Sequence, residues 1–420
     1  MEPRGTWGAQ GKEQALARSL VTRGLKGTMK INIIGAGPSG LYFAILMKRL
    51  NKSHEITILE RDGPNDTFGW GIVFSDQTFS YLEENDKKSF TAVTRVCQRW
   101  DNVDVVHKGE KVTIHGNKFS GISRLAFLNI LHKRCQDLGV DLQFNTNATD
   151  LNELPPADLL VGADGANSTV RRAFLKAFDP SVDLRKNKYI WLGTHQLFNG
   201  LTLTFRKHEA GLFVAHSYKF NETTSTFIVE CDDSTWRNAR FDWMTDPETC
   251  AYLGEVFKED LGGHRLLSNN FVRWLNFPLV KNRHWHHKNV VLLGDALHTA
   301  HFSIGSGTKL ALEDSIALAK CFKAESDVER ALAEFEKVRK PIVDEYQEAG
   351  YSSLLLFENA ADEMELDPIP FAYKLMTRSK KIDYENLKQR DPKFIAAYDQ
   401  WLKESKAKSR KSTAKKADKK

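Results

Sequence analysis

An α/β fold of the Rossmann-like kind, interrupted by an antiparallel β-sheet and followed by C-terminal helices, is what this sequence predicts. Three observations carry that expectation. The first is Ile31–Gly40, INIIGAGPSG, where strand-forming residues run into Gly35-Ala36-Gly37-Pro38-Ser39-Gly40 and then into the helical run LYFAILMKRL. The second is a change of texture from Lys188 to Pro278, where runs such as KYIWLGT, LTLTFRK and GLFVAHSYKF show period-two character between short polar turns. The third is a late apolar strand, Asn289–Leu293, which leads through Gly294-Asp295-Ala296 to a glycine-spaced turn and a long helical pattern.

Each element has a local reason. Gly35 permits the tight turn, Gly37 lets the backbone approach a pyrophosphate, and Gly40 lets the helix pack on the strand. The N–H groups and dipole at that helix start favour an anion. Glu55–Leu59 reads as the second strand and ends at Glu60, about where a Rossmann-like fold places an acid on a ribose hydroxyl. Phe68-Gly69-Trp70-Gly71 is an aromatic turn that either covers a ligand or simply packs. Lys111–His115 reads as a strand. Ser123 is an N-cap for a helix with Leu125, Leu128, Ile130 and Leu131 on its apolar side. Arg124 at that helix start points to an anionic partner or to an exposed surface, and its position alone leaves both open. Asp141–Phe144 reads as a strand. Asp158–Arg171 is a strand, the turn Gly162-Ala163-Asp164-Gly165 and a capped helix. In the inserted sheet, His216 and Tyr218 share one strand face, and Trp191, Gly193 and His195 share another. These faces wall a pocket for a planar apolar molecule, or they are ordinary sheet surface. Asp295 is placed to accept a hydrogen bond from a ligand hydroxyl, and the Gly305–Gly307 turn to offer backbone N–H groups. Helical patterns run through Glu325–Glu358 and Pro392–Lys403.

Composition narrows the function classes. The 420 residues carry 60 Lys and Arg against 54 Asp and Glu, a formal charge of +6. The excess lies in the tail after Glu404, SKAKSRKSTAKKADKK, which reads as a solvated disordered segment rather than a nucleic-acid site. No apolar run approaches the ~20 residues of a membrane span. The first 28 residues lack the apolar core of a secretory signal, so they read as a disordered extension and the chain as cytoplasmic. The five cysteines are scattered and form no C-x-x-C, which suits free thiols and offers no metal framework. His284-Trp285-His286-His287 lacks partners at structural-zinc spacing. No nucleophile triad is visible.

GAGPSG with the later Glu60, ADGANSTVRR, and LLGDALHTAHFSIGSG before a helix occur in that order. Together they resemble the class A flavoprotein monooxygenases of the para-hydroxybenzoate hydroxylase type, over residues 29–330. The phrases FGWGIVFSD, KNKYIWLGT, TSTFIVEC, WLNFP and GDALHTAHFSIGSGTKLALED are similar to the acyl-CoA subgroup, the salicyloyl-CoA 5-hydroxylases and 2-aminobenzoyl-CoA monooxygenases. They are less closely similar to the tryptophan-derived hydroxylases of violacein biosynthesis. The resemblance implies an FAD-binding domain over 29–187 and 279–330, a β-sheet substrate domain over 188–278, C-terminal helices over 331–403 and the basic tail over 404–420.

It also implies FAD as cofactor, NADH or NADPH as reductant, and O2. Reduced FAD and O2 would form a C4a-hydroperoxide that hydroxylates an electron-rich ring. Gly35, Gly37, Ser39 and Gly40 would hold the pyrophosphate, Glu60 the adenosine ribose, and Arg124 the phosphates. Asp164 would serve both nucleotides, Asp295 the ribityl chain, and Gly307, Thr308 and Lys309 the backbone around the flavin ring. His216, Tyr218 and His195 would line the substrate. Two departures stand out: His301-Phe302 occupies the family's usual Pro-Pro, and Lys309 replaces a common Asn. His301 either serves as a proton donor near the reactive flavin carbon or packs. The implied substrate is a small aromatic molecule, CoA-linked, in a monomer or dimer. A CoA ester needs cations at the pocket mouth, for which Arg185, Lys186, Lys188, Arg206 and Lys207 are candidates. A free indole substrate and a non-catalytic FAD-binding protein are the rival readings. A flavin halogenase ranks below them, because its W-x-W-x-I-P motif is absent.

Overall fold

A computed structural model describes residues 27–269 and 273–417. The expectation for residues 1–28 falls, apart from Gly27 and Thr28, outside them. Lys30–Ile34 lies at the centre of a six-stranded sheet, parallel to Glu55–Leu59 on one side and Leu159–Gly162 on the other. Asp141–Gln143 and Val290–Leu292 extend the parallel set, and His286–His287 adds an antiparallel edge. Both faces of this sheet are covered at its centre, so its central strands are mostly apolar: Ile31, Ile33, Leu159, Val161 and Val291 are all buried. The helix Pro38–Leu50 is buried from Pro38 to Lys48 because it is wedged between the sheet and the helix Gly307–Ala324.

The second sheet has the order Leu266–Leu267, Pro180–Thr194, Ser225–Cys231, Gly211–Lys219, Leu201–His208, Val103–His107, Glu110–Ile114, with Leu275–Asn282 also pairing on Pro180–Thr194. It is larger than the 188–278 insertion the sequence suggested. The strand entering it starts at Pro180, the strand leaving it ends at Asn282, and residues 103–114 join it through a parallel pairing with Leu201–His208. That pairing is non-local, so no periodicity in residues 103–114 could announce it. A small third sheet, Gly71–Ser75 with Phe119–Ser123 and Gln98–Trp100, bridges the two.

The C-terminal helices cover one face of the second sheet. Val103, Val105, Leu203 and Phe205 pack against Phe357, Phe371 and Leu375. This packing brings the end of the helix Pro368–Thr377 over the sheet. The last helix runs from Pro392 to Ala417, past the boundary at 404 where a disordered tail was expected. No Gly or Pro follows Pro392, and Ala, Lys and Glu are good helix formers.

Among the described residues no helix is long and apolar enough to cross a membrane, and no group of His, Cys, Asp and Glu could hold a metal ion. All five cysteines are free. Burial pushes the Cys97 thiol up to about 12 and those of Cys250 and Cys321 up to about 11, and raises Cys135 and Cys231 further. The thiolate is the reactive form. Iodoacetamide at neutral pH is therefore expected to leave the native protein essentially unlabelled and to label all five positions after denaturation; rapid labelling of the native protein would contradict the burial.

Candidate active site

A cavity of about 550 Å³ is walled by the α/β domain, the second sheet and the C-terminal helices. Its two sides differ in chemistry. One side is polar and holds Gly37, Ser39, Arg124, Asp295, Gly307 and Thr308. Two helices, Pro38–Leu50 and Gly307–Ala324, start there, and neither N-cap makes a side-chain capping bond. Their first N–H groups and the positive ends of their dipoles face the cavity without a protein side chain to satisfy them.

Arg124 is half-buried at this side. Its Nε–H donates to the Thr67 hydroxyl at 3.1 Å, and among the described residues no carboxylate lies within ion-pair distance of it. Burial lowers its guanidinium, against the pull of Asp295. Asp295 opens to the cavity and makes no hydrogen bond among the described residues. Desolvation raises its carboxyl, opposed by Arg124 and His298. Uncapped helix starts, a cation and an anion that do not satisfy one another fit a ligand carrying both phosphates and hydroxyls.

The residues Gly35, Gly40, Glu60 and Asp164 shape this side from behind. Gly35 has φ +105°, and a Cβ there would stand 2.4 Å from the Ala163 carbonyl oxygen, so only glycine fits. Gly40 sits at the start of its helix, against the turn. Glu60 does not line the cavity: its carboxylate accepts from the Ala36 N–H at 2.7 Å and the Asp62 N–H at 3.0 Å. Asp164 caps the short helix after it, one oxygen accepting from the N–H groups of Thr169 and Val170, while the other is buried without a partner. That orphaned oxygen leaves room for one further donor.

The other side is aromatic and aliphatic. Tyr189, Trp191, Leu203, His216, Tyr218 and Ile228 project from the second sheet, as the alternation of its strands requires. The turn Phe68-Gly69-Trp70-Gly71 is clamped onto this face. The Trp191 ring lies where a Cβ on Gly69 would be, at 2.7 Å, and the Tyr218 hydroxyl donates to the Gly71 carbonyl at 2.7 Å. The turn is therefore packed, and Phe68 also reaches the cavity wall.

The buried His216 faces the cavity, and its Nε2 stands 2.6 Å from Oε1 of Glu230 on the neighbouring strand. Glu230 also meets the Asn187 amide at 3.3 Å. Burial pushes the Glu230 carboxyl up; the bond to His216, the nearby imidazoles of His216 and His301 and the Asn187 amide more than offset it, leaving it below its ordinary value. Arg378, at the end of the Pro368–Thr377 helix, lines the same cavity. Its guanidinium donates to the Ser353 hydroxyl at 2.8 Å and the Ser303 carbonyl at 2.7 Å, and burial lowers it to about 10 against the pull of Glu230.

Two expected site residues, His195 and His301, stand elsewhere, and Lys309 has only its backbone to offer. His195 is exposed: its strand ends at Thr194, so the alternation that would aim it inward stops one residue short, and its Nδ1 lies 3.0 Å from the Thr223 carbonyl. The Lys309 side chain does not line the cavity; it is buried against Glu313 at 2.6 Å and the Tyr346 hydroxyl at 2.9 Å. His301 lies behind Phe302, in a small void with Glu230, Asn187 and Tyr189. Its Nδ1 is 2.8 Å from the Ser303 hydroxyl, and burial holds it down at about 4, so it is neutral near pH 7. Four of the five basic residues considered for a CoA ester are held in ion pairs. Arg185 pairs with Glu358, Arg206 with Asp260 and Glu259, Lys207 with Glu365 and Lys188 with Asp233, and none of the five lines the main cavity.

The sequence reading missed Glu230, Tyr189 and Arg378. Glu230 did leave a signal. It is the one charged residue in Ser225–Cys231, a strand buried at every position, and such a carboxylate must have a partner. Arg378 left none, because its place depends on how the C-terminal helices fold back.

The α/β fold thus sets a polar side with open helix starts against an aromatic-walled chamber in one cavity, the arrangement of a nucleotide-dependent enzyme class. The model of the FAD binding domain family matches residues 139–349. The chain is 38% identical over 384 residues to salicyloyl-CoA 5-hydroxylase of a Streptomyces species, covering 89% of this chain and 74% of that one. It is 35% identical over 364 residues to protodeoxyviolaceinate monooxygenase of Chromobacterium violaceum, covering 84% and 95%. In fold it is similar to the crystal structure of 2-methyl-3-hydroxypyridine-5-carboxylic acid oxygenase, with a TM-score of 0.67 at 19% identity over 84% of this chain and 96% of that one. The chain belongs to this FAD-binding family, and it is an FAD-dependent aromatic monooxygenase.

Proposed function

We propose that the polar side of the cavity holds FAD and that the sheet side holds a hydroxyl-bearing aryl thioester, with NADH or NADPH as a transient reductant. One observation carries the reading: a single cavity joins the uncapped helix starts to the aromatic sheet face. When bound, FAD supplies the activation of O2 and the oxygen transfer. The chain's own residues bind, orient and exclude water. In this reading Gly37, Ser39 and Arg124 meet the phosphates, Asp295 a ribityl hydroxyl, and Gly307 and Thr308 the flavin ring. Gly35, Gly40, Glu60 and Asp164 hold the turns in shape, and the Lys309 side chain fixes Tyr346 at the cavity wall.

The thioester is favoured by the extent of similarity to salicyloyl-CoA 5-hydroxylase. It is also favoured by Arg378 on the cavity wall, which makes no ion pair among the described residues and takes the place of the basic residues first considered. Arg378 donates only to neutral acceptors, so its charge suits a polarised thioester carbonyl or a phosphate nearby. The free thiols suit a reducing compartment such as the cytoplasm, with the protein as a monomer or dimer.

Two measurements test this reading. Arg124→Ala is expected to weaken FAD binding about tenfold to a hundredfold, the scale of a lost charge-assisted hydrogen bond. Flavin fluorescence titration reads it, and unchanged affinity would remove Arg124 from the phosphate site. Salicyloyl-CoA is expected to be hydroxylated with a higher kcat/KM than salicylate. A preference for a free indole would instead assign the chamber to the violacein-like branch.

A further inference from the structure

From the geometry around His216 we infer that His216 and Glu230 form the base that takes the proton from the ring hydroxyl of the substrate. This rests on the reading of the sheet side as the aromatic chamber. His216 lies on the cavity wall and Glu230 directly behind it, 2.6 Å from Nε2. The other ring nitrogen, Nδ1, has no hydrogen bond among the described residues. Edge contacts fix the ring: Phe302 stands 5.3 Å away and Phe357 4.8 Å, centroid to centroid. The arrangement is an imidazole with one nitrogen anchored to a buried carboxylate and the other offered to the chamber.

The proton balance is closed. The substrate O–H bond breaks and its proton goes to Nδ1, while Nε2–H stays bonded to the Glu230 carboxylate. The resulting imidazolium is neutralised by that carboxylate in a site from which water is excluded. The ring is left as a phenolate, whose electron pair activates the ring carbons ortho and para to it, in salicyloyl-CoA the para carbon, toward the electrophilic oxygen that the flavin chemistry delivers. When that carbon loses its own proton, which ends in the water formed from the second oxygen atom of O2, the ring regains aromaticity and Nδ1 returns its proton to the ring oxygen. His216 is then a catalytic residue, and Glu230, whose carboxylate hydrogen-bonds His216 and Asn187 behind the chamber wall, is a positioning residue.

The groups facing the pair from neighbouring elements are compatible with this role. Asn187 contributes an amide from the adjoining strand. His301 approaches Glu230 from the turn behind Phe302 and is neutral. Arg378, from the C-terminal helices, is the one cation of the chamber wall that acts on Glu230, and it helps keep the carboxylate charged. Arg185, across the small void, is neutralised by Glu358 at 2.7 Å.

The test uses the full-length FAD-loaded protein, with salicyloyl-CoA as probe. Ultraviolet difference spectra report whether the bound phenol is ionised. The wild type is expected to bind it as phenolate at a pH where the free ligand is neutral. His216→Gln is expected to bind it as the neutral phenol with similar affinity. It should lose about a hundredfold or more in kcat, the usual contribution of a positioned base, and recover as pH rises toward the ionisation of the ligand itself. Glu230→Gln keeps an acceptor for Nε2–H, and its pH profile is expected to shift in the same direction by a smaller amount. Two results would overturn the inference: a His216→Gln protein that still binds phenolate, or one with an unchanged pH profile. A wild type that hydroxylates no aromatic compound would overturn the functional reading as well, which separates the two failures.

Discussion

Gly35→Val is expected to yield protein that cannot retain FAD. The native backbone at Gly35 has φ +105°, a conformation a β-branched residue avoids, and the new Cβ would stand 2.4 Å from the Ala163 carbonyl oxygen. That oxygen lies one residue past the neighbouring strand Leu159–Gly162 and is held there by the Ala163 N–H, which donates to the Ile34 carbonyl at 2.8 Å. The turn must open, and with it go the N–H groups at the start of the Pro38–Leu50 helix and the Ala36 N–H that Glu60 holds at 2.7 Å. The expected loss is at least ~3 kcal/mol of cofactor binding, about a hundredfold in Kd. Retention of FAD absorbance through gel filtration measures it, and circular dichroism shows whether the sheet has survived. A variant that purifies yellow with wild-type affinity would mean that this turn is not the cofactor cradle.

Arg339→Leu is expected to be the most damaging single change to stability away from the cavity. Arg339 donates to Asp314 at 2.8 Å and to Glu313 at 2.7 Å, and both carboxylates are buried. His298 reaches Asp314 at 2.8 Å, and Lys309 reaches Glu313 at 2.6 Å. Removing the guanidinium leaves two carboxylates with one partner each, for a cost of about 3–5 kcal/mol. Burial alone would raise the Asp314 carboxyl, but the charges of His298 and Arg339 and their hydrogen bonds hold it below its ordinary value. A depressed carboxyl contributes stability above its unfolded-state pKa and loses it as pH falls through the folded one. The wild type is therefore expected to unfold in acid partly through Asp314, and Arg339→Leu at a less acidic midpoint. Urea midpoints across pH would show it; equal midpoints for the two proteins would contradict the network's role.

The parts of the fold set by local chemistry were legible. The turn at Gly35, the N-cap at Ser123 and the strands Lys30–Ile34 and Glu55–Leu59 follow from glycine, capping and apolar runs, and they stand where expected. What depends on distant pairing was not legible. Val103–His107 joins the second sheet across about a hundred residues of chain, and Arg378 reaches the cavity only because the C-terminal helices fold over that sheet. The same divide runs through the site. Gly37, Ser39, Arg124, Asp295, Gly307 and Thr308 come together because motifs at strand ends and helix starts converge on one edge of a parallel sheet. His195 points away from the cavity because its strand stops at Thr194, and the Lys309 side chain is taken by a carboxylate one helical turn away, which leaves only its backbone for a ligand. Alternation and motif spacing give the direction of a Cβ, not the partner that finally holds the side chain.

The central claim is that this cavity sets FAD against an aromatic ring lying on the second sheet. Hydroxylation under isotopically labelled O2, with NADH or NADPH and salicyloyl-CoA, tests it most directly. The account predicts a product heavier by one labelled oxygen atom, with one reductant consumed per product and consumption accelerated by the thioester. Reductant turned over only into peroxide, whatever aryl thioester or acid is offered, or product oxygen drawn from water, would contradict it.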